Sequence, residues 1–226
     1  MERIPEPELM ESAAQAQAYG AADFSATDQD LVQRLVQLVG ANGPSQGLRI
    51  MDLGCGPGNI TFRLAERFRH AQVVGLDGAD AMLDLARQAL RRKADWQQRV
   101  TLALATLPLA PGSPLGADFG VVVSNSLLHH LHDPQVLWRA IGQLAAPGAV
   151  VLIRDLRRPA TPEAILALVQ RYASGAPELL QRDYGHSLAA AFTLTEVRAQ
   201  LREAQLPWLE AQELGDRYLE VAGRLP

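Results

Sequence analysis

The sequence predicts an α/β fold, a doubly wound and mostly parallel sheet of seven strands with helices on both faces. Three observations support this prediction. Between residues 45 and 156, short apolar runs alternate with segments of helical periodicity. One run, Phe119 to Val123, is continuously apolar, as is typical of a parallel strand buried on both faces. Near the end of the chain, two strand-like runs flank Gly215-Asp216, a dipeptide that favours a tight turn and therefore an antiparallel hairpin strand.

The first part of the chain is expected to be helical. An alanine-rich stretch at about residues 10–22 precedes a clear amphipathic pattern at residues 28–39. Apolar residues recur there at helical spacing, namely Leu31, Val32, Leu35, Val36, Leu38 and Val39. The segment at residues 41–44, Ala-Asn-Gly-Pro, should end this helix, because glycine and proline are common just past a helix end.

The core is predicted to contain five strands and the helices that connect them. The strands are expected at residues 48–53, 72–77, 100–104, 119–123 and 149–153. Helices are expected at residues 59–69, 79–92 and 134–145, and residues 108–116 form a loop rich in proline and glycine. Because strands alternate with helices, we expect these five strands to be parallel.

After Pro159 the alternation stops, which indicates an insertion. Two helices are predicted at residues 162–174 and 178–191 with no strand between them, and we expect them to form a lid over a pocket. A helix at residues 195–204 follows, with Thr195 as its expected N-cap. Strands at residues 208–214 and 217–222 then complete the sheet.

Composition excludes several functional classes. The 226 residues carry a formal net charge of −4, one cysteine (Cys55) and one lysine (Lys93). One cysteine cannot form an internal disulfide, a CxxC pair, a four-cysteine zinc site or an iron–sulfur cluster. Lys93 is followed by Ala94, so the chain lacks the lysine of a GxxxxGK[ST] phosphate-binding loop. The acidic balance argues against nucleic acid as a partner.

The sequence also bears on location. Residues 1–5 lack the apolar stretch of a signal peptide. No run approaches the roughly 20 apolar residues of a membrane span. We therefore expect a cytoplasmic protein with no membrane span.

The most informative segment is the glycine-rich turn Asp-Leu-Gly-Cys-Gly-Pro-Gly-Asn at residues 52–59, between the first strand and a helix. In a doubly wound sheet this position borders the ligand crevice. Asp52 would repel a pyrophosphate but suits an ammonium group, and Asn59 replaces the last glycine of a dinucleotide-binding motif. Asp77, at the tip of the second strand, can accept hydrogen bonds from ribose hydroxyls. S-adenosylmethionine has both the ribose and the ammonium group.

The chain resembles the class I S-adenosylmethionine-dependent methyltransferases, in particular the small-molecule group around the quinone-biosynthesis methyltransferases. Four segments carry this resemblance in the expected order: residues 50–58, residues 74–77 with Met82-Leu83, residues 122–131, and Pro147-Gly148 with residues 152–156. The resemblance covers about residues 45–156 and the C-terminal hairpin. It implies a Rossmann-like fold, S-adenosylmethionine as cofactor, and in-line methyl transfer to an oxygen, nitrogen or carbon of a small molecule.

The resemblance further implies a division of the chain and roles for individual residues. The single domain would comprise an N-terminal helical cap (1–44), a cofactor-binding core (45–156), the lid insertion (157–193) and a C-terminal helix and hairpin (194–226). Gly54 and Gly56 would lie under the methionine and ribose portions, Asp52 would help place the amino group, and Asp77 would hold the ribose. The predicted cofactor-binding residues are Tyr19, Asp52, Gly54, Cys55, Gly56, Asp77, Gly78, Met82, Ser124 and Asn125.

One position departs from the family pattern. In the family, an acidic residue after the third strand usually binds the adenine amino group, but residues 102–108 contain no carboxylate here. Main-chain groups near Ala105 and Thr106 are therefore expected to contact the adenine, with Met82 packed nearby. Tyr19 and Phe24, upstream of the first strand, are expected to close over the cofactor.

Methyl transfer from a sulfonium depends mainly on alignment, and a general base is needed only when the acceptor must lose a proton. Ser124 and Asn125 are expected to face the methionine part or the transferred methyl, and His129 and His130 follow them closely. A packing role is the alternative for each of these two histidines. The candidate bases are His129, His130, His132, Asp155, Tyr184 and His186.

No metal site is expected at the three neighbouring histidines. Successive positions at a strand–helix junction point in different directions, and no patterned carboxylate accompanies the histidines. The predicted acceptor-binding residues are His129, Arg154 and Tyr184. Arg157 or Arg158 could pair with an anionic acceptor or belong to a solvated basic turn.

Three other functions compete with a small-molecule methyltransferase. A catalytically silent S-adenosylmethionine-binding partner or scaffold protein is favoured by the missing adenine carboxylate and disfavoured by Asp77 and residues 125–130. A nicotinamide dehydrogenase is disfavoured by Asp52 and Asn59. RNA methylation is disfavoured by the acidic balance.

Overall fold

The structure is a computed structural model that describes residues 1–6, 12–40, 47–110 and 112–226. Parts of three sequence predictions lie outside these ranges: the start of the alanine-rich stretch, the helix end at residues 41–44, and residue 111 of the predicted loop. None of the described helices combines the length and the apolar character that crossing a membrane requires.

Seven strands of the described chain form one sheet. They are β1 (Arg49–Leu53), β2 (Gln72–Asp77), β3 (Val100–Leu104), β4 (Phe119–Asn125), β5 (Ala145–Leu156), β6 (Leu209–Leu214) and β7 (Tyr218–Arg224). Their order across the sheet is β3-β2-β1-β4-β5-β7-β6. The first five are parallel, and β7 is antiparallel to both β5 and β6. The predicted mostly parallel sheet with an antiparallel C-terminal strand is confirmed.

The described helices lie where the periodicity predicts them, with small differences at their ends. They are α1 (Ala13–Ala21), α2 (Ser25–Val39), α3 (Asn59–Arg67), α4 (Asp80–Arg91), α5 (Ala94–Gln97), α6 (Gln135–Leu144), α7 (Pro162–Ala173), α8 (Glu178–Ala190) and α9 (Leu194–Glu203). The short α5 was not predicted. A 3-10 turn, Leu128–His130, follows β4.

Two apolar layers hold the sheet in place. Neighbouring residues of a strand point to opposite faces, so Ile50 packs with α2 and α3 whereas Met51 packs with α6 and α9. Both side chains are fully buried. Because helices cover both faces, the parallel strands are apolar on both sides, which explains their continuous apolar runs.

The first six residues, which we call the N-terminal strap, lie across the insertion and the 3-10 turn. The strap is joined to the insertion by a main-chain hydrogen bond from Ile4 N to the Ala189 carbonyl at 3.1 Å. Arg3 donates to the carbonyls of His129 and Leu131 at 2.8 and 2.9 Å, and its guanidinium lies over the Phe192 ring. No sequence pattern predicted this arrangement, because it joins residues more than 100 positions apart.

The start of α9 corrects a sequence prediction. Thr195 was expected to cap this helix, but the N-cap is Thr193. The Thr193 hydroxyl accepts from Glu196 N at 3.3 Å, and the Glu196 carboxylate accepts from Thr193 N at 2.7 Å. This is a capping box with the acidic residue three positions after the cap. The spacing Thr193-to-Glu196 was therefore the informative signal, and Thr195 is an exposed residue within the first turn.

Replacing the two threonines separately tests this assignment. Thr193→Ala should lower the free energy of unfolding by about 1 kcal/mol, because the first turn of α9 loses its side-chain acceptor. Thr195→Ala is the matched control and should change the free energy of unfolding by less than about 0.5 kcal/mol. Urea denaturation measures both. Equal effects of the two substitutions would contradict the capping box.

Candidate functional site

A cavity of about 1370 Å³ opens at the carboxyl ends of the central strands. It lies where the strand order reverses between β1 and β4, the usual ligand position in a doubly wound sheet. Typical small-molecule pockets measure roughly 300–1,000 Å³. The cavity therefore has room for a nucleoside-sized cofactor and a second small molecule.

Most of the residues predicted to bind the cofactor or the acceptor line this cavity, and two of them do not. Of the candidate bases, His132 and Asp155 also lie outside the lining. The lining includes Tyr19, Gly54, Cys55, Gly56, Asp77, Gly78, Met82, Asn125, His129, His130, Arg154 and Tyr184. Asp52 and Ser124 lie behind the lining, as described below. Residues of α1, α2 and α8 contribute to the lining.

The glycine-rich turn has the left-handed backbone that its sequence requires. Gly54 has φ of +73°, and a Cβ there would lie only 2.9 Å from Leu127 Cβ. Gly56 has φ of +53° and open space where a side chain would be. Backbone N–H groups of Gly54 and Cys55 both donate to the Leu76 carbonyl, at 2.8 and 2.9 Å. Glycine thus lets the turn fold against β2 and the segment after β4 while leaving its surface bare for a ligand.

Asp77 joins the glycine-rich turn to the start of α4. Its Oδ2 accepts from Gly56 N at 2.7 Å, and its Oδ1 accepts from Ala79 N at 2.8 Å. Burial raises the pKa of this carboxyl group, while the backbone donors oppose the rise. Each oxygen keeps a further lone pair for a donor in the cavity.

Two residues that were predicted to bind the cofactor instead form hydrogen bonds in the interior of the protein. Ser124 was expected to face the methyl group, but it is fully buried and donates its hydroxyl to the Leu53 carbonyl at 2.8 Å, which joins β4 to β1. Asp52 was expected to contact the amino group, but its Oδ2 accepts from the Thr61 hydroxyl at 2.6 Å in the interior. Burial, with a contribution from Asp77, raises the pKa of Asp52 to about 7.

Cys55 lines the cavity but is not activated. The thiol is buried, and burial together with the charges of Asp52 and Asp77 raises its pKa well above the usual value. A thiolate is the nucleophilic form of cysteine. The prediction that Cys55 serves as a small residue of the turn is consistent with this environment.

Aromatic and apolar groups form the wall beyond Asp77. Tyr19 and Phe24 pack against each other with ring centroids 4.8 Å apart. Met82 packs against Tyr19 in the same cluster, and both line the cavity. The segment Ala105 to Leu107 lines the cavity beside them, with Ala105 N bonded to the Asp77 carbonyl at 3.0 Å. The wall expected to receive adenine is therefore apolar apart from main-chain groups and the Thr106 hydroxyl.

His129 is held by a buried carboxylate at the opposite end of the cavity. Its Nδ1 lies 2.6 Å from Asp155 Oδ1, and Asp155 also accepts from the backbone N–H groups of Leu128 and Leu156, both at 2.7 Å. Burial lowers the pKa of the imidazole, but the charge and hydrogen bond of Asp155 outweigh it, so the net pKa of His129 is raised. The Asp155 carboxylate therefore fixes the ring with Nε2 directed away from β5.

Glu6 of the N-terminal strap joins these histidines, which sequence reasoning missed. Its Oε1 lies 3.5 Å from His129 Nε2 and 3.4 Å from His130 Nδ1, and it accepts from the Ser187 hydroxyl at 3.0 Å. Burial raises the pKa of Glu6. Glu6 precedes His129 by more than 120 residues, so no local motif connects them.

The three arginines expected to bind an anionic acceptor are engaged by the protein. Arg154 lines the cavity, but its guanidinium binds Glu220 at 3.0 Å and Asp30 at 2.8 Å. Arg158 is paired with Glu196 at 2.6 Å, and Arg157 with Glu213 at 3.3 Å. Their charges are used within the fold, so the structure favours a structural role for Arg154.

Arg217, which was not predicted, is the better candidate for an anion. It lines the cavity and forms no ion pair with any carboxylate of the described residues. Its guanidinium lies 3.7 Å from the ring centroid of Tyr172 and 4.7 Å from that of Tyr218. Nearby, the Tyr184 hydroxyl is buried; burial raises its pKa, and the neighbouring Arg217 guanidinium opposes the rise. The hairpin turn that carries Arg217 gave no sequence signal beyond Gly215-Asp216.

Comparisons with known proteins agree with the geometry. A methyltransferase domain model matches residues 51–151. A trans-aconitate 2-methyltransferase of Methylobacterium radiotolerans is 38% identical over 104 residues, which cover 46% of this chain and 36% of that protein. The chain spans only 36–42% of the length of four such curated relatives.

Solved structures show the same fold at lower identity. An S-adenosylmethionine-dependent methyltransferase from Aquifex aeolicus superposes with a TM-score of 0.67 at 16% identity, covering 95% of this chain and 99% of that one. A phosphoethanolamine N-methyltransferase of Haemonchus contortus, solved with S-adenosyl-L-methionine, gives a TM-score of 0.69 at 16% identity, covering 95% of this chain and 57% of that one.

The buried Asp52 predicts a pH dependence of stability. Its pKa of about 7 in the folded protein exceeds the usual value of 3.8, so the folded state holds a proton that the unfolded state has lost. Wild type should therefore lose stability relative to Asp52→Asn as pH rises from about 4 to 7, by up to about 4 kcal/mol. Urea denaturation without ligand at several pH values measures this difference. The exposed Asp84→Asn is the control for the change of charge, and a pH-independent difference for Asp52→Asn would contradict the prediction.

Proposed function

We propose that the chain is an S-adenosylmethionine-dependent methyltransferase that transfers a methyl group from S-adenosylmethionine to a small-molecule acceptor held in the same cavity. The observation that carries the proposal is the division of the cavity into two ends. One end has the bare glycine turn and Asp77, and the other has polar side chains suited to a second molecule. We also propose that the protein is cytoplasmic, as the sequence predicts.

The cofactor end fits a nucleoside with a methionine arm. The remaining lone pairs of Asp77 suit the two ribose hydroxyls, and the open space at Gly56 leaves room for the methionine portion of the cofactor. Tyr19 and Met82 provide an apolar wall for the adenine. When bound, the cofactor supplies an electrophilic methyl group on a sulfonium. The task of the protein is then to align an acceptor atom with that methyl and to exclude water.

The acceptor end suits a small molecule with a carboxylate or another anionic group. Arg217 offers a guanidinium without a carboxylate partner among the described residues, and the buried Tyr184 hydroxyl lies beside it. Guanidinium and carboxylate form strong, directional hydrogen bonds. The relatives named for trans-aconitate act on a tricarboxylate, which agrees with an anionic acceptor.

A catalytically silent cofactor-binding protein is the alternative that the sequence left open. The buried, carboxylate-oriented His129 at the far end of the cavity favours turnover, since an oriented polar group there has no task in binding the cofactor alone. Formation of S-adenosylhomocysteine from S-adenosylmethionine in the presence of a panel of small carboxylic acids tests the proposal. Cofactor binding without turnover across the panel would favour the silent protein.

Cofactor binding should depend on Asp77. Asp77→Asn should weaken binding of S-adenosylhomocysteine by roughly 10- to 100-fold, because a charged hydrogen-bond acceptor is lost. Isothermal titration calorimetry measures this, and the melting temperature checks that the variant is folded. Asp80→Asn, three residues further along on the exposed start of α4, is the matched control and should bind normally. An unchanged affinity of Asp77→Asn would contradict the assignment of the ribose site.

Acceptor binding should depend on Arg217. Arg217→Gln should raise KM for an anionic acceptor by roughly 10- to 100-fold with kcat changed only slightly, because the contact binds ground state and transition state alike. Arg182→Gln is the matched control, since Arg182 lines the same cavity but is already paired with Asp183 at 3.1 Å. Steady-state kinetics measures both variants. A fall in kcat with unchanged KM would argue against an acceptor-binding role for Arg217.

A further inference from the structure

We propose that Glu6, His129 and His130 form a binding site for one divalent transition-metal ion at the acceptor end of the cavity. The ligand atoms of these three residues all lie within 4.8 Å of one another. Two histidines and one carboxylate are a common ligand set for first-row divalent metals. The role of the ion in catalysis rests on the methyl transfer proposed above, but the site itself rests on the three side chains.

The distances between the ligand atoms suit a shared ion. Glu6 Oε1 lies 3.4 Å from His130 Nδ1 and 3.5 Å from His129 Nε2. Two ligands bound at about 2.1 Å with a tetrahedral angle between them are about 3.4 Å apart. Both distances from the carboxylate to the ring nitrogens match this geometry.

The ring nitrogen of His129 that does not face Glu6, Nδ1, is hydrogen-bonded to Asp155, as is common for metal-binding histidines. Asp155 Oδ1 lies 2.6 Å from His129 Nδ1, and Nε2 lies 3.5 Å from Glu6 Oε1, so a metal ion that displaces the proton of Nε2 would bind this nitrogen while Nδ1 keeps its bond to Asp155. A carboxylate behind a ligating histidine fixes its tautomer and increases its basicity. Ser187 similarly holds the Glu6 carboxylate by donating to Oε1 at 3.0 Å.

The backbone around the cluster is also fixed. Arg3 binds the carbonyls of His129 and Leu131, which anchors the strap next to the 3-10 turn and brings Glu6 over the two rings. Glu6 and Asp155 place two carboxylates at a site where their side chains are 13% and 1% exposed. A divalent cation bound to the two rings would offset this buried negative charge in place of the protons that it displaces.

The ligand set also indicates the class of ion. Two imidazole nitrogens favour Zn²⁺, Fe²⁺, Co²⁺ or Mn²⁺ over Mg²⁺, which prefers oxygen ligands and keeps its water. Three protein ligands leave a coordination position open towards the cavity. An oxygen of the acceptor would occupy that position, and the charge of the ion would lower the pKa of an acceptor hydroxyl. No metal site was expected from the sequence, in part because no patterned carboxylate accompanies the histidines. In the structure, Glu6 of the N-terminal strap supplies that carboxylate.

Metal binding can be measured directly on the full chain after removal of any purification tag. Equilibrium dialysis with Zn²⁺, followed by elemental analysis, should give one ion per chain. Co²⁺ bound at the same site should show a visible absorption spectrum typical of nitrogen and oxygen ligands, and Mg²⁺ should compete poorly. Less than one Zn²⁺ per chain at saturating free metal would overturn the proposal.

Variants assign the ion to these residues. Glu6→Gln and His130→Gln should each weaken Zn²⁺ binding at least about 10-fold, on the scale of a lost first ligand. His70→Gln removes an exposed histidine at the end of α3, away from the cavity, and should bind Zn²⁺ like wild type. Equal affinity of wild type, Glu6→Gln and His130→Gln would overturn the site.

Calorimetry with S-adenosylhomocysteine separates this proposal from the proposed function and shows that each variant is folded. If wild type binds S-adenosylhomocysteine but not Zn²⁺, the metal site is wrong and the proposed methyl transfer is unaffected. If wild type binds Zn²⁺ in a manner that depends on Glu6 and His130 but does not bind S-adenosylhomocysteine, the metal site stands and the proposed function is wrong.

Discussion

The acceptor end of the cavity depends on the buried carboxylate of Asp155. Located near the end of β5, Asp155 accepts hydrogen bonds from Leu128 N, Leu156 N and His129 Nδ1. One side chain thereby joins the end of a central strand to the turn after the neighbouring strand. Its burial is tolerated because three donors replace the water that the carboxylate loses. The orientation of His129, and through it the position of Glu6 on the N-terminal strap, follows from this arrangement.

A buried carboxylate also organises the cofactor end of the cavity, at the end of β2. Asp77 binds Gly56 N and Ala79 N, so the glycine turn after β1 and the start of α4 are held by one carboxylate. Both carboxylates occupy the carboxyl ends of parallel strands, where the strands end and backbone N–H groups of the following segments are available. The central strands thus position both ends of the cavity relative to each other.

Long-range contacts decide which charged residues are available to a ligand. Arg154, Arg157 and Arg158 are adjacent in sequence to the predicted pocket but are paired with Glu220, Glu213 and Glu196, respectively. Arg217, from the hairpin turn, lacks such a carboxylate among the described residues and lies among tyrosines at the cavity. The difference arises from the tertiary partners of each guanidinium, since nothing in the local sequence distinguishes these arginines.

The sequence by itself determined the sheet and the glycine turn, and it carries the resemblance to the methyltransferases. Apolar periodicity and the positions of glycine are local properties, and they predict local structure because strand pairing and left-handed turns follow from side-chain and backbone sterics. The capping box of α9 was equally local, although Thr193 rather than Thr195 makes it. Only the tertiary structure decided that Ser124 and Asp52 lie behind the cavity, that Arg217 is available to an anion, and that Glu6 meets His129 and His130. Most of these facts depend on contacts between residues tens to more than 100 positions apart, and even the Asp52–Thr61 bond spans nine residues, so their geometry is set by packing and not by spacing along the chain.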